Sequence, residues 1–180
     1  MSRLIALLRG INVSGQKKIK MSELKNLFES LEFQDVEAYI QSGNVIFSSK
    51  QKSSTKLANK ISSEIKTKYN FDVQVIILTP QEIDRALKNN PFVKKKKETE
   101  RLYVTFLSSR PSAERINKLE EISFLPEEYS IKEKAIYLFF PNGSGKAKLN
   151  NNFIEKKLNV IGTTRNWKTV NALSELVNGE

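Results

Sequence analysis

The order of predicted secondary structure in the first half of this chain is repeated in the second half. Continuous or alternating apolar residues predict strands, and apolar residues three or four positions apart predict helices. In the first half these patterns predict a strand at Leu4 to Leu8, a helix with Met21, Leu24, Leu27, Phe28 and Leu31, a strand from Val36 to Gln41, a strand at Val45-Ile46-Phe47, a helix with Leu57, Ile61 and Ile65, and a strand with Val73, Val75 and Ile77. The predicted order is therefore βαββαβ, with Ser42-Gly43-Asn44 as a hairpin turn in which the glycine has positive φ.

A short helix links the halves, because Thr79-Pro80-Gln81-Glu82 supplies a cap, a first-turn proline and a glutamate that reaches back to the cap amide. This helix buries Ile83, Ala86 and Leu87 and ends at Asn89-Asn90-Pro91-Phe92. The order βαββαβ then returns as a strand at Leu102 to Leu107, a helix with Ile116, Leu119 and Ile122, a strand near Tyr129 to Ile131, a turn at Lys132-Glu133-Lys134, a strand at Ile136 to Phe140, a helix with Leu149, Phe153, Ile154 and Leu158, and a short strand at Val160-Ile161. An amphipathic helix with Val170, Leu173 and Leu176 closes the chain.

The strand chemistry also predicts the order of each sheet. In each half the first and third strands are continuously apolar, as interior strands are, whereas the second strand alternates, as a strand with one solvated face does. The pattern predicts an α+β fold of tandem ferredoxin-like βαββαβ plaits, each an antiparallel sheet of order 4-1-3-2 with helices on one face, plus the C-terminal helix. The expected domains are residues 1–79, a linking helix and basic loop at 80–100, and residues 101–180.

Composition restricts the chemistry. The chain has no Cys, which excludes disulfides and thiolate nucleophiles, and no His, which excludes the commonest general base and metal ligand. Neither a metal nor a cofactor is predicted. No nucleophile or general base stands out, so enzyme activity stays open at this point.

The net charge is +10, from 30 Lys+Arg and 20 Asp+Glu, and it favours polyanions or acidic surfaces as partners. Much of the excess lies in Lys94-Lys95-Lys96-Lys97 and Gln16-Lys17-Lys18-Ile19-Lys20, and such runs are commonly solvated loops. The apolar run Leu4 to Leu8 is too short for a signal-peptide core or a membrane span. The sequence therefore predicts a cytoplasmic protein with no membrane partner, and it indicates no oligomeric state.

Four motifs carry a resemblance to a known family. They are Leu4-Ile5-Ala6-Leu7-Leu8-Arg9-Gly10-Ile11-Asn12-Val13-Ser14-Gly15, Tyr39-Ile40-Gln41-Ser42-Gly43-Asn44-Val45-Ile46-Phe47, Asn89-Asn90-Pro91-Phe92 and Gly162-Thr163-Thr164-Arg165-Asn166-Trp167-Lys168-Thr169. With them the chain resembles the domain of unknown function 1697 family of uncharacterised bacterial proteins over nearly its whole length. The resemblance implies a two-plait α/β fold with no established activity, so it implies no catalytic residue. Ser14 stands where relatives usually have another glycine.

The opening loop, Gly10 to Lys20, is the first candidate site, because long ordered loops in compact α/β units are often functional. Its two glycines have the spacing of a phosphate-binding P-loop, but Gln16 replaces the phosphate-binding lysine and Lys17 replaces the magnesium-binding hydroxyl, so that motif fails. Two interpretations stay open. Backbone amides and lysines of the loop hold a single anionic group, or Arg9 pairs with a carboxylate while Asn12 ties down the loop.

Three further motifs have a structural and a functional interpretation. Asn142-Gly143-Ser144-Gly145-Lys146, before a predicted helix at Ala147, lacks both ends of the P-loop motif and predicts a flexible turn. Gln41, Ser42 and Asn44 fit hairpin geometry as well as ligand contact. In Gly162 to Trp167, Thr or Asn caps the last helix and Trp167 packs, while Arg165 is the most attractive residue for binding an anion.

Two functions of different classes follow. The first is a binding module for a small anionic ligand at a cleft between the two plaits, because guanidinium and amide groups suit phosphate or carboxylate. Its predicted ligand-binding residues are Arg9, Asn12, Lys20, Gln41, Asn44, Arg165 and Asn166. The alternative is nucleic-acid binding through the basic surface and the aromatic residues Tyr103, Tyr137 and Phe139. Those rings equally suit a buried sheet face, and the first half has no aromatic residue in Leu4 to Leu8.

Overall fold

The computed structural model describes residues 1–179, which contain eight strands and seven α-helices. The first half contains β1 (Ser2–Leu8), α1 (Met21–Ser30), β2 (Gln34–Tyr39), β3 (Asn44–Ser49), α2 (Ser54–Tyr69) and β4 (Val75–Leu78). The helices α3 (Pro80–Lys88) and α4 (Pro91–Lys94) follow. The second half contains β5 (Leu102–Leu107), α5 (Ala113–Glu120), β6 (Glu128–Lys132), β7 (Ala135–Phe139), α6 (Asn151–Leu158), β8 (Gly162–Asn166) and α7 (Trp167–Asn178).

The strands form two four-stranded sheets, in the orders β2-β3-β1-β4 and β6-β7-β5-β8. Neighbouring strands are antiparallel throughout. The two strands with the longest predicted apolar runs, β1 and β5, are interior, as expected for strands that have no solvated face. The α+β class and the predicted strand order are confirmed, and they are compatible with tandem ferredoxin-like plaits.

Contacts divide the chain into two compact units. The first unit is Met1–Asp84 together with the chain from Ala172 onward, and the second unit is Arg85–Asn171. The domain boundaries expected from the sequence, at 79 and 100, stay a prediction. Among the described residues, no helix combines the length and the apolar character needed to cross a membrane.

The core of the first unit lies between its sheet and the helices α1 and α2. Leu4, Ala6 and Leu8 of β1 point into this core, because alternate residues of a strand face the same side. The helices contribute Leu24, Leu27, Phe28, Leu57, Ile61 and Ile65. These are the helix positions that the apolar spacing predicts, so the two helices pack on one face of the sheet as expected.

The core of the second unit is built in the same way. It contains Leu107 of β5, Ile136 and Leu138 of β7, Leu119 of α5 and Ile154 of α6. The other face of this sheet carries different chemistry, because the register pairs Val104 with Tyr137 on one side and with Arg165 on the other. A tyrosine and an arginine therefore flank an interior strand on the face that α5 and α6 do not cover.

Two local predictions are confirmed in atomic detail. The amide of Thr79 donates to the Glu82 carboxylate at 2.9 Å, and the amide of Glu82 donates to Thr79 Oγ1 at 3.2 Å. This reciprocal pair is a capping box at the start of α3. Gly43 has a φ of +77°, in the left-handed region that the hairpin turn was expected to need.

Three local predictions are wrong. The last strand is β8, Gly162–Asn166, and not Val160-Ile161. Helix α6 ends at Leu158 with a left-handed cap residue, Asn159, and ladder pairing with β5 starts only at Gly162. The last strand escaped prediction because it contains threonines and an arginine instead of an apolar run. Ile40 and Gln41 lie beyond β2 in a four-residue hairpin loop, with Ile40 47% exposed at positive φ. No helix starts at Ala147, since α6 begins at Asn151 with Asn150 as its cap.

Candidate functional site

The opening loop, residues 10–20, is ordered by its own hydrogen bonds. The Asn12 side chain accepts from the amide of Ile19 at 2.8 Å and donates to the Ile19 carbonyl at 2.9 Å. The backbone amide of Asn12 donates to the Lys17 carbonyl at 3.2 Å, and Val13 pairs with Gln16. The Asn12 side chain therefore closes the loop on itself, which is the structural role considered for it from the sequence.

The loop backbone adopts conformations that L-amino acids rarely take. Asn12, Ser14 and Lys17 have φ angles of 54°, 50° and 45°, in addition to the positive φ of Gly10 and Gly15. Left-handed conformations of residues other than glycine cost free energy, and they persist where surrounding contacts hold them and often where a site needs them. A loop with three such residues is thus held in a shape that its local sequence does not favour.

The opening loop and the hairpin between β2 and β3 pack together. The side-chain amide of Asn12 also donates to the Gln41 carbonyl at 2.9 Å, and the backbone amide of Leu8 donates to the Gly43 carbonyl at 2.8 Å. A Cβ on Gly43 would lie 2.7 Å from Cγ1 of Ile11, a loop residue that is fully buried. The two segments singled out separately in the sequence are therefore one structural feature.

A cleft of about 540 Å³ opens beside this feature, and we call it the loop cleft. Residues of the loop, the start of α1 and the hairpin line it, among them Asn12, Lys18, Lys20, Met21, Glu23 and Gln41. Three of the predicted ligand-binding residues, Asn12, Lys20 and Gln41, thus share one cleft. Its volume is within the range of small-molecule sites.

The N-terminus of α1 opens into the loop cleft. Its cap residue, Lys20, has an extended backbone and makes no side-chain cap hydrogen bond. The first N–H groups of a helix have no intrahelical partner, and they carry the positive end of the helix dipole. Lys18 and Lys20 add positive charge to the lining, whereas Glu23 in the first turn adds one negative charge.

The other predicted residues lie elsewhere. Arg9 is half-buried at the end of β1, with its amide bonded to the Gln74 carbonyl at 2.9 Å. Asn44 is fully buried, and its side-chain amide donates to the Tyr39 carbonyl and to Ser42 Oγ, which is hairpin geometry. Arg165 and Asn166 belong to the second unit, so their convergence with Arg9 stays a prediction.

Arg165 is an interior residue of the second unit, only 7% exposed. Its guanidinium donates to Thr163 Oγ1 at 2.8 Å and to the Thr164 carbonyl at 2.9 Å. Burial lowers the pKa of Arg165 to about 10, because removal from water disfavours the charged form. Asn166 caps α7, since its Oδ1 accepts from the amide of Thr169 at 2.8 Å.

The aromatic residues considered for base stacking are not presented to solvent as a platform. Tyr137 is 1% exposed, and burial raises its pKa to about 12. Tyr103 packs against the core beneath α5 and α6. Phe139 is half-buried, with the Lys97 ammonium 4.6 Å from its ring centroid.

Ligand contact was not predicted from the sequence for five of the lining residues, which are Gly15, Lys18, Ile19, Met21 and Glu23. Lys18 belongs to the lysine-rich loop, so the sequence gives its charge but does not indicate that it lies at a cleft. Met21 and Glu23 appeared only as first-turn residues of α1, and nothing in their spacing indicated that this turn faces a cleft.

Comparisons with known proteins support the family resemblance and the fold. A family model described as "Protein of unknown function (DUF1697)" matches residues 1–137. A solved structure of a conserved bacterial protein from Streptococcus pneumoniae is similar to this chain, with a TM-score of 0.78, 25% sequence identity and coverage of 98% of each chain. No curated protein matches the sequence. The motif at Gly162 to Thr169 lies beyond the residues that the family model matches.

Proposed function

We propose that this protein, which belongs to the DUF1697 family of proteins of unknown function, binds a small anionic ligand in the loop cleft. The observation that carries the proposal is the start of α1, where no side chain caps the helix and two lysines line the same cleft. Unpartnered N–H groups at a helix N-terminus, together with the helix dipole, favour an anion. The site is ligand-binding in this proposal, and no reaction is assigned to it.

The charges of the cleft support an anion of modest charge. Lys18 and Lys20 together outweigh Glu23, which leaves an excess of one positive charge among the lining side chains. A phosphate group or a carboxylate would accept from the first-turn N–H groups while the lysines approach its oxygens. Glu23 would repel a highly charged ligand, so a monoester phosphate or a monocarboxylate fits better than a polyphosphate.

The rigidity of the opening loop also supports binding. Asn12 uses its side chain to hold the loop and the hairpin, so it fixes the shape of the cleft that it also lines. A cleft that is already formed loses little conformational entropy when a ligand enters. Gln41 lies exposed beside it, where its side-chain amide can donate to an anion.

Binding of inorganic phosphate, followed by amide chemical shifts at constant ionic strength, tests the proposal. Shifts should concentrate at residues 18–24, and Lys20→Met should weaken binding by roughly two- to fivefold, the usual size of an exposed charge contact. Lys52→Met, which removes an exposed lysine far along the sequence, is the matched control and should leave binding unchanged. Equal weakening in both variants, or shifts spread over all lysine-bearing surfaces, would reduce the effect to non-specific charge and overturn the proposal.

Nucleic-acid binding gains no comparable support, because Tyr137 is buried and Tyr103 and Phe139 are half-buried, which leaves no exposed aromatic surface for base stacking. The same titration distinguishes the two classes when a single-stranded oligonucleotide replaces phosphate. Oligonucleotide binding with a steep salt dependence, and with shifts at Lys94 to Lys97, would favour the nucleic-acid function instead.

A further inference from the structure

A second cleft lies wholly within the second unit and shares no lining residue with the loop cleft. It has a volume of about 700 Å³ and lies between the segment after α5 and the turn after β7. The turn contains Asn142 to Lys146, which resembles part of a phosphate-binding motif but lacks both of its ends. The shape and the lining of this second cleft suggest another ligand class.

The floor of the second cleft is apolar and rigid. Phe124 and Phe140 line it, and both are buried. The Phe124 ring packs edge-on against Tyr129 and Phe153, at centroid distances of 5.8 and 5.5 Å, so it has little freedom to move. Phe124 and Phe140 are 5% and 3% exposed, so they offer a ligand a small but fixed apolar surface.

The rim carries an unusual apolar residue. Leu125 also lines the second cleft and is 74% exposed, the highest exposure among the large hydrophobic residues of the described chain. A single exposed leucine is common on a protein surface. A leucine beside an aromatic floor and an open cleft extends one apolar surface, whose burial by a ligand is favourable.

The charged lining residues of the second cleft, Glu127, Lys146 and Lys148, carry a net charge of one positive unit. Glu127 accepts from the backbone amides of Lys148 and Leu149, at 2.8 and 3.0 Å, one on each carboxylate oxygen. These bonds hold the carboxylate against the backbone, and its single negative charge is outnumbered by the two lysines, Lys146 and Lys148. Within residues 1–179, neither Lys146 nor Lys148 forms an ion pair with a carboxylate, and both residues line the cleft.

We infer that the second cleft binds a monocarboxylate with an apolar body, with the body on Phe124, Phe140 and Leu125 and the carboxylate at Lys146 and Lys148. Charge complementarity favours an anion, and the apolar floor and rim favour a hydrocarbon part. A small hydrophilic anion would leave the apolar surface wet, and an uncharged hydrocarbon would leave the two ammonium groups unused. The hydrocarbon part is a fatty chain or an aromatic ring, which share this chemistry.

Octanoate is the probe for a fatty carboxylate, with acetate and 1-octanol as controls for charge alone and for hydrocarbon alone. Titrations followed by amide chemical shifts at constant ionic strength should place octanoate at residues 124–127 and 140–148. Octanoate should bind more tightly than either control, and 3-phenylpropionate in a parallel titration shows whether an aromatic body is preferred. Binding of 1-octanol as tight as that of octanoate, or shifts outside the second cleft, would overturn the inference.

Charge and hydrocarbon contributions are separated by substitution. Lys146→Met and Lys148→Met should each weaken octanoate binding by roughly two- to fivefold and leave 1-octanol binding unchanged. Leu125→Asn should weaken both ligands. Lys156→Met, an exposed lysine on α6, is the matched control and should change neither. These side chains are exposed, so the thermal unfolding midpoint should stay constant, and equal octanoate affinity across all four variants would refute the site.

Discussion

The two units share one element order but connect their elements differently. Residues 9–20 join β1 to α1 in the first unit, whereas residues 108–112 join β5 to α5 in the second. The hairpins differ in the same direction, since residues 40–43 join β2 to β3 and only residues 133–134 join β6 to β7. The second unit has the same strand order with these two connections short, so the fold does not require their greater length in the first unit. The long connections of the second unit, residues 121–127 and 140–150, lie elsewhere and line the second cleft.

The added segments of the first unit contact each other and form the loop cleft. Asn12 bonds to the Gln41 carbonyl, and Gly43 lies against Ile11. The helix that follows each connection differs too, because Ser112 caps α5 by accepting from the amide of Arg115, whereas no side chain caps α1. The loop cleft therefore lies where two connections of the first unit are longer than their counterparts in the second unit.

The interiors of the two sheets differ as well. The last strand of the first unit, β4, is Val75-Ile76-Ile77-Leu78 and is buried throughout. The corresponding strand of the second unit, β8, contains the buried polar residues Thr163 and Arg165. A buried ionisable side chain in this strand is thus a property of the second unit.

The largest expected effect concerns the contact between the hairpin and the opening loop. Gly43→Ala places a side chain at a φ of +77°, with its Cβ 2.7 Å from Ile11 Cγ1 and 2.9 Å from Leu8 Cβ. Backbone strain and overpacking each cost about 1–3 kcal/mol, so the free energy of unfolding should fall by roughly 2–5 kcal/mol. Urea unfolding measures the change.

Two other glycines separate the causes of that loss. Gly10→Ala has a φ of +71° but no atom within 4 Å of the new Cβ, so it should show the strain alone. Gly145→Ala in the second unit meets no atom and needs no positive φ, so its effect should stay within about 0.5 kcal/mol. A Gly43→Ala loss no larger than that of Gly10→Ala would show that close packing of the hairpin on the loop contributes nothing.

The next effect concerns the Asn12 side chain, which has no counterpart in the short connection of the second unit. Asn12→Ala removes hydrogen bonds to the Ile19 amide, the Ile19 carbonyl and the Gln41 carbonyl. The unfolding free energy should fall by roughly 1–3 kcal/mol, because partly buried groups lose their partners. Hydrogen exchange at the Ile19 amide should accelerate. Unchanged exchange there, or an equal loss in the exposed control Asn26→Ala, would contradict the assigned role.

Much of the fold was predictable because the sequence signals are local. Leu4 to Leu8 and Leu102 to Leu107 are continuous apolar runs, and interior strands need them. The capping box at Thr79 depends on residues only three positions apart, so its geometry follows from sequence spacing. Gly43 was identifiable for the same reason, since a hairpin turn restricts which residue has positive φ.

The remainder depends on contacts between distant parts of the sequence. β8 has no apolar run, and its strand conformation follows from pairing with β5, not from local preference. The burial of Arg165 follows from that pairing. The loop cleft was predicted in part, through Asn12, Lys20 and Gln41, because motifs pointed to these residues. The inclusion of Met21 and Glu23 depends on how α1 is oriented against the loop, which spacing does not encode.

A smaller effect tests the polar interior of the second unit. Burial raises the pKa of Tyr137 to about 12, so the folded protein keeps a proton that the unfolded chain loses near pH 10, and stability falls as the pH rises between these values. When the pH is raised from neutral to about pH 11.5, the unfolding free energy of Tyr137→Phe should therefore fall by roughly 1–2 kcal/mol less than that of wild type. Chemical unfolding at a series of alkaline pH values measures the difference.

Two features make that measurement specific. Burial lowers the pKa of Arg165 to about 10, which changes stability with the opposite sign, so only the difference between wild type and variant is informative. Tyr129→Phe is the matched control, because the pKa of Tyr129 is also raised by burial, and by Glu120, but its side chain is less buried. If Tyr137→Phe leaves the dependence of unfolding free energy on alkaline pH unchanged, the interiors of the two sheets do not differ in this respect.

The smallest effect exchanges the helix caps of the two units. Ser112→Ala should lower the unfolding free energy by about 0.5–2 kcal/mol, because α5 loses its cap. Lys20→Ser should raise it by about 0.5–1 kcal/mol, since Lys20 already has the extended backbone of a cap residue and serine can accept from a first-turn amide. The same substitution should weaken phosphate binding more than Lys20→Met does, because it satisfies a donor as well as removing a charge. If Lys20→Ser instead leaves stability unchanged and binds phosphate as Lys20→Met does, the start of α1 is already satisfied in the protein, and the absence of a cap there does not distinguish the first unit as a binding site.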